Sequence, residues 1–537
     1  MDQKELLHKL KRREKAIEEL IKIGHSLSAN TNFNEVIEGI LLGAKNLSFA
    51  DGGTLYLMNE EDQLNFTVVQ TDSLNIKMGG TQGEITWPPL SLTKEDGSLN
   101  KEQVAALCAI EKKLINIPDV YEAEGFNFEG TKKFDEGTGY RTKSMLVVPM
   151  TNHENDVIGV LQLLNKHDHD GNTIEFSPND EKLIQSMASQ AAVTISNNRL
   201  IKELEILLNA FIKSIATAIG EKSKYTGGHI NRVAEVSEMI VEAINEDETI
   251  YKDIHYSKDQ IKEISIAAWL HDIGKITTPE YVVDKGTKLE TIYDRINTVE
   301  AKFEVIKKDL EIEYLKKSIN SSNEEKEKLK EEFENQIKEI EDDFEFIKTS
   351  NTGGEFMADE KIDRINEIAK KTLIINNNEI NLLSENEVFN LCIRKGTLTN
   401  EEREVINNHV TMSYKMLESL PFPKKLKRVP VIAASHHKKV GGGGYGDPRI
   451  MDLPMSLEDK ILAVADVFEA LTANDRPYKK ANSLNQSMRI LSFMVKDKEL
   501  DRDLVKFFVD KGLHMKYAED NLMESQMDEI TVNFDKL

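Results

Sequence analysis

Seven histidine and aspartate side chains stand within, or at the ends of, segments whose pattern predicts apolar helices. They are His229, His271, Asp272, His409, His436, His437 and Asp466. The pairs His271-Asp272 and His436-His437 each follow an apolar helix. Asp466 lies inside another, where an ionised carboxylate is costly without a partner. Imidazole combined with carboxylate suits Fe, Mn, Zn or Ni better than Ca or Mg.

Seven potential ligands exceed what one ion needs, and an aspartate beside a histidine can bridge two ions. Two ions about 3.5–4 Å apart would activate water and clamp a phosphodiester for in-line attack. Each of these histidines, taken alone, is more simply explained as a core or surface residue whose hydrogen-bonding groups have partners. Because separate apolar helices end in the same ligand types, the set together predicts one metal centre.

The helices that must position these ligands belong to a region of about 210–537, which is nearly all helical in pattern and is interrupted by an insert at 284–395. Two stretches of the insert have the apolar spacing of a coiled coil. Their apolar residues are Phe303, Ile306 and Leu310, then Phe333, Ile337, Ile340, Phe344 and Ile347. The polar turn at 320–323 between them predicts an antiparallel helical hairpin. A solvated single helix or a disordered segment is the alternative, because charged residues dominate here.

Residues 31–178 mix short strands with helices. Segments 53–59 and 64–70 predict one strand pair, and segments 144–150 and 157–165 predict a second. Consecutive strand pairs favour an antiparallel sheet with helices packed on it. We therefore expect a multidomain protein in which an α+β domain precedes the all-helical one.

Two further helices flank the α+β domain. Residues 1–30 have helical spacing, and this N-terminal helix is either a dimer contact or packed on its own domain. A long amphipathic helix over 179–220 follows Ser177, which can cap it, and Pro178, which the first turn tolerates. A helix of this length that joins two domains can pair with its twin, so we expect a homodimer. Its last turns are also expected to pack in the following domain.

Composition limits the partners of the protein. The chain has 537 residues and a formal charge of −24. Such a surface repels nucleic-acid phosphates and anionic membranes, so neither is expected as a partner. Cys108 and Cys392 are far apart and outside metal-ligand spacing, which favours a reducing compartment. No segment approaches the ~20 apolar residues of a membrane span, and we expect a cytoplasmic protein.

Residues of about 210–290 and 390–500 resemble the HD-GYP domain, a branch of the HD metal-dependent phosphohydrolases. The resemblance rests on five motifs that occur in the family's order. They are YTGGHINRV, HDIGK, LTNEEREVINNH, HHKKVGGGGYGD and ILAVADVFEALTANDRPYKKA. It implies an all-helical fold with two transition-metal ions, Fe or Mn, held by the seven residues named above. It also implies hydrolysis of cyclic di-GMP, or a related cyclic dinucleotide, to pGpG or GMP.

The same resemblance implies roles for further residues. Asp272 and Lys275 would act in catalysis, with Lys275 on the scissile phosphate. Tyr445, Arg476 and Lys479 match positions expected to hold the base or phosphate of the substrate. A strongly acidic protein needs such fixed cations to attract a dianionic ligand.

The chain departs from the family pattern at three places. The family's Gly-Tyr-Pro motif ends in Gly446 here, which predicts a looser loop and not the loss of metal. Where some members carry a carboxylate for a third ion, this chain has Tyr225, and Glu221 is two turns away, so a third ion is not expected. The insert replaces a short family link, and it could serve as a lid, a partner site or a dimer brace.

Residues of about 31–178 resemble a GAF domain, the small-ligand sensor fold. Asn165, Lys166, Phe176, Asp180 and Glu181 reproduce the pattern of cyclic-nucleotide-binding GAF domains. Lys166 and Asp180 are expected to form an ion pair that locks the sheet to the following helix, a role that does not itself require a ligand. A cyclic nucleotide, another small ligand or a purely dimerising role all remain open.

Together these features predict a metal-dependent phosphodiesterase that cleaves cyclic di-GMP under the control of its GAF domain. One alternative is a catalytically weak cyclic-dinucleotide receptor, which the altered Gly-Tyr-Gly loop and the insert favour. The other is an HD phosphohydrolase that acts on a different nucleotide or cyclic dinucleotide.

Overall fold

The protein forms two compact units that divide between Leu208 and Asn209. The computed structural model describes residues 32–222, 226–354, 356–375, 378–474 and 481–534. The N-terminal helix predicted over 1–30 lies outside these residues. The first unit combines a sheet with helices and the second is nearly all helical, which confirms the predicted fold class. In the part of the chain that the structure describes, no helix has the length and apolar character to cross a bilayer.

The first unit is an antiparallel sheet with helices on it. Its helices are α1 (Phe33–Ser48), α2 (Val104–Glu111), α3 (Glu129–Thr138) and α4 (Pro178–Lys222), the last of which continues past the division between the units. Its strands are β1 (Ala50–Met58), β2 (Gln63–Thr71), β3 (Ile76–Gly79), β4 (Leu90–Ser91), β5 (Ile115–Ile117), β6 (Met145–Thr151), β7 (Val157–His167) and β8 (Thr173–Ile174). The strand order is β3-β2-β1-β7-β6-β5, with β4 beside β2 and β8 beside β7. Both predicted strand pairs are confirmed, as β1–β2 and β6–β7.

Apolar side chains alternate in direction along the central strands, which gives this sheet two buried faces. Leu55 and Leu161 pack in one core with residues of α1 and α4, whereas Tyr56 and Val160 pack in a second core with residues of α2. Successive side chains of a strand point to opposite faces, so neighbouring residues serve different cores. Both faces of the central strands are therefore covered.

The predicted ion pair between the sheet and α4 is present. The Lys166 ammonium contacts the Asp180 carboxylate, and each side chain is only 13% exposed. The same carboxylate accepts hydrogen bonds from the backbone N–H (2.6 Å) and hydroxyl (2.7 Å) of Ser177. Asp180 therefore ties the last long strand to the first turn of α4, which is a structural role.

The second unit holds the ligand-bearing helices and the insert. Before the insert come α5 (Thr226–Asn245), α6 (Lys258–Leu270), a 3₁₀ turn (Ile273–Thr277) and α7 (Glu280–Val283). The insert contains α8 (Ile296–Ser318), α9 (Asn323–Asn351), α10 (Asp359–Ala369), β9 (Thr372–Ile375), β10 (Asn378–Asn381) and α11 (Glu385–Leu391). After it come α12 (Asn400–Asn407), α13 (His409–Glu418), α14 (Val429–Ala434), α15 (Pro448–Met451), α16 (Leu457–Thr472), α17 (Leu484–Lys496), α18 (Arg502–Asp510) and α19 (Leu513–Asn521).

The predicted hairpin of the insert is confirmed. Phe303 on α8 packs against Phe344 on α9 with ring centroids 5.4 Å apart, and Tyr314 stacks on Phe333 at 5.0 Å. These pairings run in opposite directions along the two helices, so the hairpin is antiparallel. The insert also contains a feature that the sequence did not predict, because β9 and β10 pair in a two-stranded sheet. These four-residue strands are too short for their alternation to stand out from the polar Asn-rich sequence around them.

A buried lysine lies where the insert begins. Lys288 is 1% exposed, and its ammonium donates to the carbonyl oxygen of Leu391 at 2.9 Å. Its backbone N–H donates to the carbonyl oxygen of Asn351. The start of the insert is thus hydrogen-bonded both to the end of the hairpin and to the end of α11.

The ionisation of Lys288 should make stability depend on pH. Burial lowers the pKa of its ammonium from 10.5 to about 8. Between these two values the unfolded chain holds a proton that the folded chain has lost, so the free energy of unfolding should rise with pH. Lys288→Met should remove this contribution, which urea unfolding at several pH values across that window would measure. The exposed Lys338→Met is the control; an equal pH slope in wild type and Lys288→Met would contradict the assignment.

Candidate metal centre

The seven predicted ligands lie in one cluster of the second unit. His229 is on α5, His271 and Asp272 follow α6, His409 begins α13, His436 and His437 follow α14, and Asp466 is on α16. They form three overlapping groups, each with its ligand atoms within 4.8 Å of one another: His229-His271-Asp466, His271-Asp272-His436 and His409-His436-His437. The segments before and after the insert therefore build a single site.

The carboxylate of Asp272 is central to the cluster. One oxygen lies 3.3 Å from Nε2 of His271 and the other 3.3 Å from Nε2 of His409. The side chain is almost fully buried, and the ammonium of Lys275 lies 2.5 Å from it. Burial alone would raise the pKa of this carboxyl, but Lys275 and His271 hold it well below its usual range. Asp272 is therefore an ionised carboxylate with its two oxygens turned toward different histidines, as a bridging ligand requires.

Each of three histidines is oriented by the helix that precedes it. Nδ1 of His271, His409 and His436 lies 2.5–2.7 Å from the carbonyl oxygen three residues earlier. Because a carbonyl only accepts, each Nδ1 carries a proton, which leaves Nε2 of a neutral ring as an acceptor. In each of these rings Nε2 is buried and has no hydrogen-bond partner among the described residues. A buried acceptor left unpaired is costly, whereas a metal ion would satisfy all three, so the residues fit a metal centre.

Two histidines at the centre of the cluster are in the protonation state that favours metal binding. Burial lowers the pKa of His436 well below its usual range and lowers that of His437 to about 4. Both imidazoles are therefore neutral at pH 7, the form that binds metal. Burial also opposes the charged form of His229, but Asp466 and Glu469 raise its pKa to about 9. At His229 a metal would have to displace a proton.

Glu469 is a residue of the site that the sequence did not single out. Its carboxylate is fully buried, contacts Nδ1 of His229, and accepts hydrogen bonds from Arg232 at 2.6 Å. It fixes the ring so that Nε2 of His229 lies 3.2 Å from Asp466. The available signal was its spacing: Glu469 is three residues after Asp466 on α16 and so lies on the same helix face.

Gly274 allows the two halves of the site to approach each other. Its φ is not positive, so this glycine does not serve a left-handed turn. Instead, a Cβ added there would lie 1.9 Å from the carbonyl oxygen of His409. Its N–H donates to the hydroxyl of Ser413, which in turn donates to the carbonyl oxygen of His271. The glycine is needed for this close contact and not for a turn.

The loop after His437 places an aromatic ring beside the cluster. Tyr445 packs on His437 with ring centroids 4.5 Å apart. Gly444 has φ +97°, and a Cβ there would lie 2.2 Å from the carbonyl oxygen of His437. Gly446 has φ +156°, a value that proline, with φ fixed near −65°, cannot adopt. The glycine in place of the family's proline therefore adopts a backbone conformation that is closed to proline, and the looser loop stays a prediction.

Part of the predicted site falls outside the described residues. Arg476 and Lys479, expected to hold substrate, lie in the segment 475–480. Tyr225 and the side chain of Glu221, which bear on a third ion, are also outside. The cluster described above rests on none of these four.

Comparison with known families identifies the two units. The sequence profile of the GAF domain matches residues 32–195, and two profiles of the HD domain match residues 226–349 and 385–504. These matches confirm the GAF and HD resemblances, and the HD-GYP branch stays a prediction. The two HD matches lie on either side of residues 350–384 of the insert. His229 and Asp272 fall in the first and His409 and Asp466 in the second, as one interrupted domain requires.

Curated relatives and solved structures match only parts of the chain. A dual 3',5'-cyclic-AMP and -GMP phosphodiesterase 11 of Drosophila melanogaster is 37% identical over 20% of this chain. A cGMP-specific 3',5'-cyclic phosphodiesterase of Drosophila mojavensis is 27% identical over 34% of it. This chain spans only 7% and 16% of the lengths of these two proteins.

Two solved structures resemble part of the chain. A GAF domain from an Acinetobacter phosphoenolpyruvate-protein phosphotransferase covers 35% of this chain and 98% of its own, at 15% identity and a TM-score of 0.26. A GAF domain/HD domain protein from Geobacter sulfurreducens covers 32% of this chain and 98% of its own, at 17% identity and a TM-score of 0.23.

Replacing Glu469 should weaken metal binding through His229. Glu469→Gln removes the charge that orients the ring and balances Arg232, and loss of such a partner costs about 10–100-fold in metal affinity. Titration of Mn²⁺ into the metal-free chain would measure this. The control is Glu263→Gln, a buried carboxylate that accepts from the backbone of Arg428 and contacts no predicted ligand. Unchanged affinity in Glu469→Gln would contradict its role.

Proposed function

We propose that this chain, a GAF domain followed by an HD domain, is a metal-dependent phosphodiesterase that hydrolyses cyclic di-GMP to pGpG or GMP. The observation that supports this most strongly is the set of three buried, unpartnered imidazole nitrogens around the ionised carboxylate of Asp272. A site of this kind is unfavourable without a cation, so its retention in the fold argues for metal chemistry.

The residues that would hold the metal are the seven of the cluster: His229, His271, Asp272, His409, His436, His437 and Asp466. We propose two transition-metal ions, Fe or Mn, because imidazole and carboxylate donors suit these metals. When bound, such ions supply an activated water and neutralise charge on the phosphoryl oxygens. A third ion is not part of the proposal.

Other residues of the chain would bind the substrate. The ammonium of Lys275 is half-buried beside Asp272, where it can contact a non-bridging phosphate oxygen and stabilise the charge that develops there. Tyr445, packed on His437, offers an aromatic face for a base. We assign Arg476 and Lys479 to substrate phosphate from the motif alone. These cations would draw an anionic ligand to a chain whose net charge is −24.

The choice of substrate rests on two kinds of support. The Drosophila relatives carry the names of cyclic-nucleotide phosphodiesterases, which favours a cyclic phosphodiester as the bond that is cleaved. The five HD-GYP-like motifs favour a cyclic dinucleotide over a cyclic mononucleotide. Cyclic di-GMP is therefore the first substrate to test.

The GAF domain would regulate this activity. We propose that it binds a small ligand, with a cyclic nucleotide as the first candidate because of the match at Asn165, Lys166 and Asp180. Since α4 starts at the Lys166–Asp180 ion pair and runs into the second unit, it is the element that would carry the state of the GAF domain. The two separated cysteines suit a reducing compartment, and we propose a cytoplasmic location.

A homodimer would form through α4. Val193, Asn197, Leu200, Leu204 and Leu207 alternate by four and three residues, and we call this set the linker seam. Its four apolar side chains are 51–65% exposed. A single polar Asn in an otherwise apolar heptad stripe is typical of a parallel two-stranded coiled coil, in which it fixes the register.

A cyclic-dinucleotide receptor with little catalysis is the second candidate. The observation that favours it is the conformation at Gly446, which departs from what the family's proline allows and positions the substrate-side Tyr445. Activity on another nucleotide would appear when the metal-loaded protein is assayed with a panel of nucleotides and cyclic dinucleotides.

Asp272→Ala should remove bound metal and lower turnover of cyclic di-GMP by more than about 100-fold. Asp272 is the central carboxylate among the residues that would hold the ions, and these ions would stabilise the charge of the transition state. Elemental analysis and product chromatography on one anaerobic sample would test both. Asp459→Asn is the control, since Asp459 is buried on the same helix as Asp466 but accepts from the backbone of Ser456. Full activity in Asp272→Ala would refute the assignment, and stoichiometric metal without turnover in wild type would favour the receptor.

Leu204→Glu should convert the homodimer to a single chain, because it places two like charges face to face in the linker seam. Light scattering on the full chain as it elutes from a size-exclusion column would show half the mass of the wild-type protein. Ile206→Glu is the matched control, since Ile206 is 60% exposed on α4 but lies off the linker seam. A dimer that survives Leu204→Glu, or a wild-type monomer, would rule out pairing through this helix.

A further inference from the structure

A buried ion pair joins the start of the insert to the helix that precedes His409. The side chain of Lys285 is fully buried, and its ammonium lies 2.9 and 2.8 Å from the two carboxylate oxygens of Glu402. Its third acceptor is Oδ1 of Asn390 on α11, at 3.1 Å. Since an ammonium has three protons, these three acceptors satisfy it completely. Lys285 precedes the hairpin and Asn390 follows it, so this one group closes the insert and attaches it to α12.

The backbone reinforces this attachment. The carbonyl oxygen of Lys285 accepts a hydrogen bond from the hydroxyl of Thr397 at 2.9 Å. Glu402 also caps α12, because its Oε2 accepts from the backbone N–H of Thr399 at 2.9 Å. The first turn of α12 is therefore held by the same carboxylate that Lys285 neutralises.

The other end of α12 sets the orientation of a metal ligand. Nδ1 of His409 donates to the carbonyl oxygen of Ile406 in the last turn of α12, at 2.5 Å. A shift of α12 along its axis moves this carbonyl and turns the imidazole. Nε2 of His409 is the buried, unpartnered atom that faces Asp272 at 3.3 Å. A contiguous set of contacts therefore runs from Lys285 through Glu402, α12 and Ile406 to the metal centre.

We propose that Lys285 is a positioning residue for His409, so that the insert is a structural part of the metal centre and not an independent appendage. This inference rests on the proposed function, because it requires the cluster to bind metal. It does not require the substrate to be cyclic di-GMP.

The test is metal affinity, measured apart from catalysis. In Lys285→Met the partly buried carboxylate of Glu402 loses its cationic partner, and α12 is released at its first turn. We expect Mn²⁺ to bind the metal-free full chain about tenfold more weakly. Calorimetric titration with Mn²⁺ alone gives this value. Lys285→Arg, which keeps the charge and can span both carboxylate oxygens, should restore most of the affinity.

A matched substitution within the insert distinguishes a positioning role of Lys285 from a general loss of stability. Lys302 pairs with the buried Glu387 at 3.0 Å and contacts nothing on α12, so Lys302→Met breaks a comparable ion pair. We expect it to lower thermal stability and to leave Mn²⁺ affinity unchanged. Equal affinity in wild type and Lys285→Met, or an equal loss in Lys302→Met, would overturn the proposal.

Two further outcomes concern a variant that does not fold and a wild-type chain that binds metal without turnover. If Lys285→Met does not fold, Glu402→Gln retains an acceptor for Lys285 and for Thr399, and it should still weaken Mn²⁺ binding while Lys302→Met does not. If wild type binds Mn²⁺ tightly but hydrolyses no cyclic dinucleotide, the proposed activity fails and the role of Lys285 is judged by the same affinities.

Discussion

The arrangement of the second unit depends on one electrostatic constraint, the burial of Asp272 among imidazoles. A carboxylate removed from water needs compensating charge. Lys275 and His271 supply part of it, and the Nδ1 protons of the surrounding histidines point outward to helix carbonyls. Carboxylate oxygens and unpartnered imidazole nitrogens therefore face one another inside the cluster. A cation in this place would satisfy the carboxylate and the imidazoles together, which explains how so many polar groups share a buried position.

Holding this cluster requires helices that are far apart in sequence to meet closely. Gly274 lets the turn after α6 touch the start of α13, and Ser413 bridges their backbones. The insert lies between these two segments along the chain, yet Lys285 and Asn390 bring its two ends to α12. An insertion of more than 100 residues is thus accommodated without separating the ligands, since its ends meet at the helix that leads into His409.

Much of this could be predicted from sequence because the signals were local. Apolar helices that end in His-Asp or His-His place ligands at helix ends, and the heptad spacing around Phe303 and Phe344 predicts the hairpin. The features that were missed depend on tertiary neighbours. Glu469 matters because Arg232 and His229 face it, and Gly274 because the backbone of His409 approaches it. Gly446 shows the same limit, since its φ of +156°, which proline cannot adopt, is visible only in the folded loop.

Both parts of the HD domain should hold metal in one site. Anomalous X-ray diffraction from crystals of anaerobically purified protein, recorded at the iron and manganese edges, would locate the ions. We expect two anomalous peaks, with Asp272 contacting both and with His409 and Asp466 from the second part among the ligands. No peak in the cluster after metal loading, or ions held only by residues that precede the insert, would contradict this expectation.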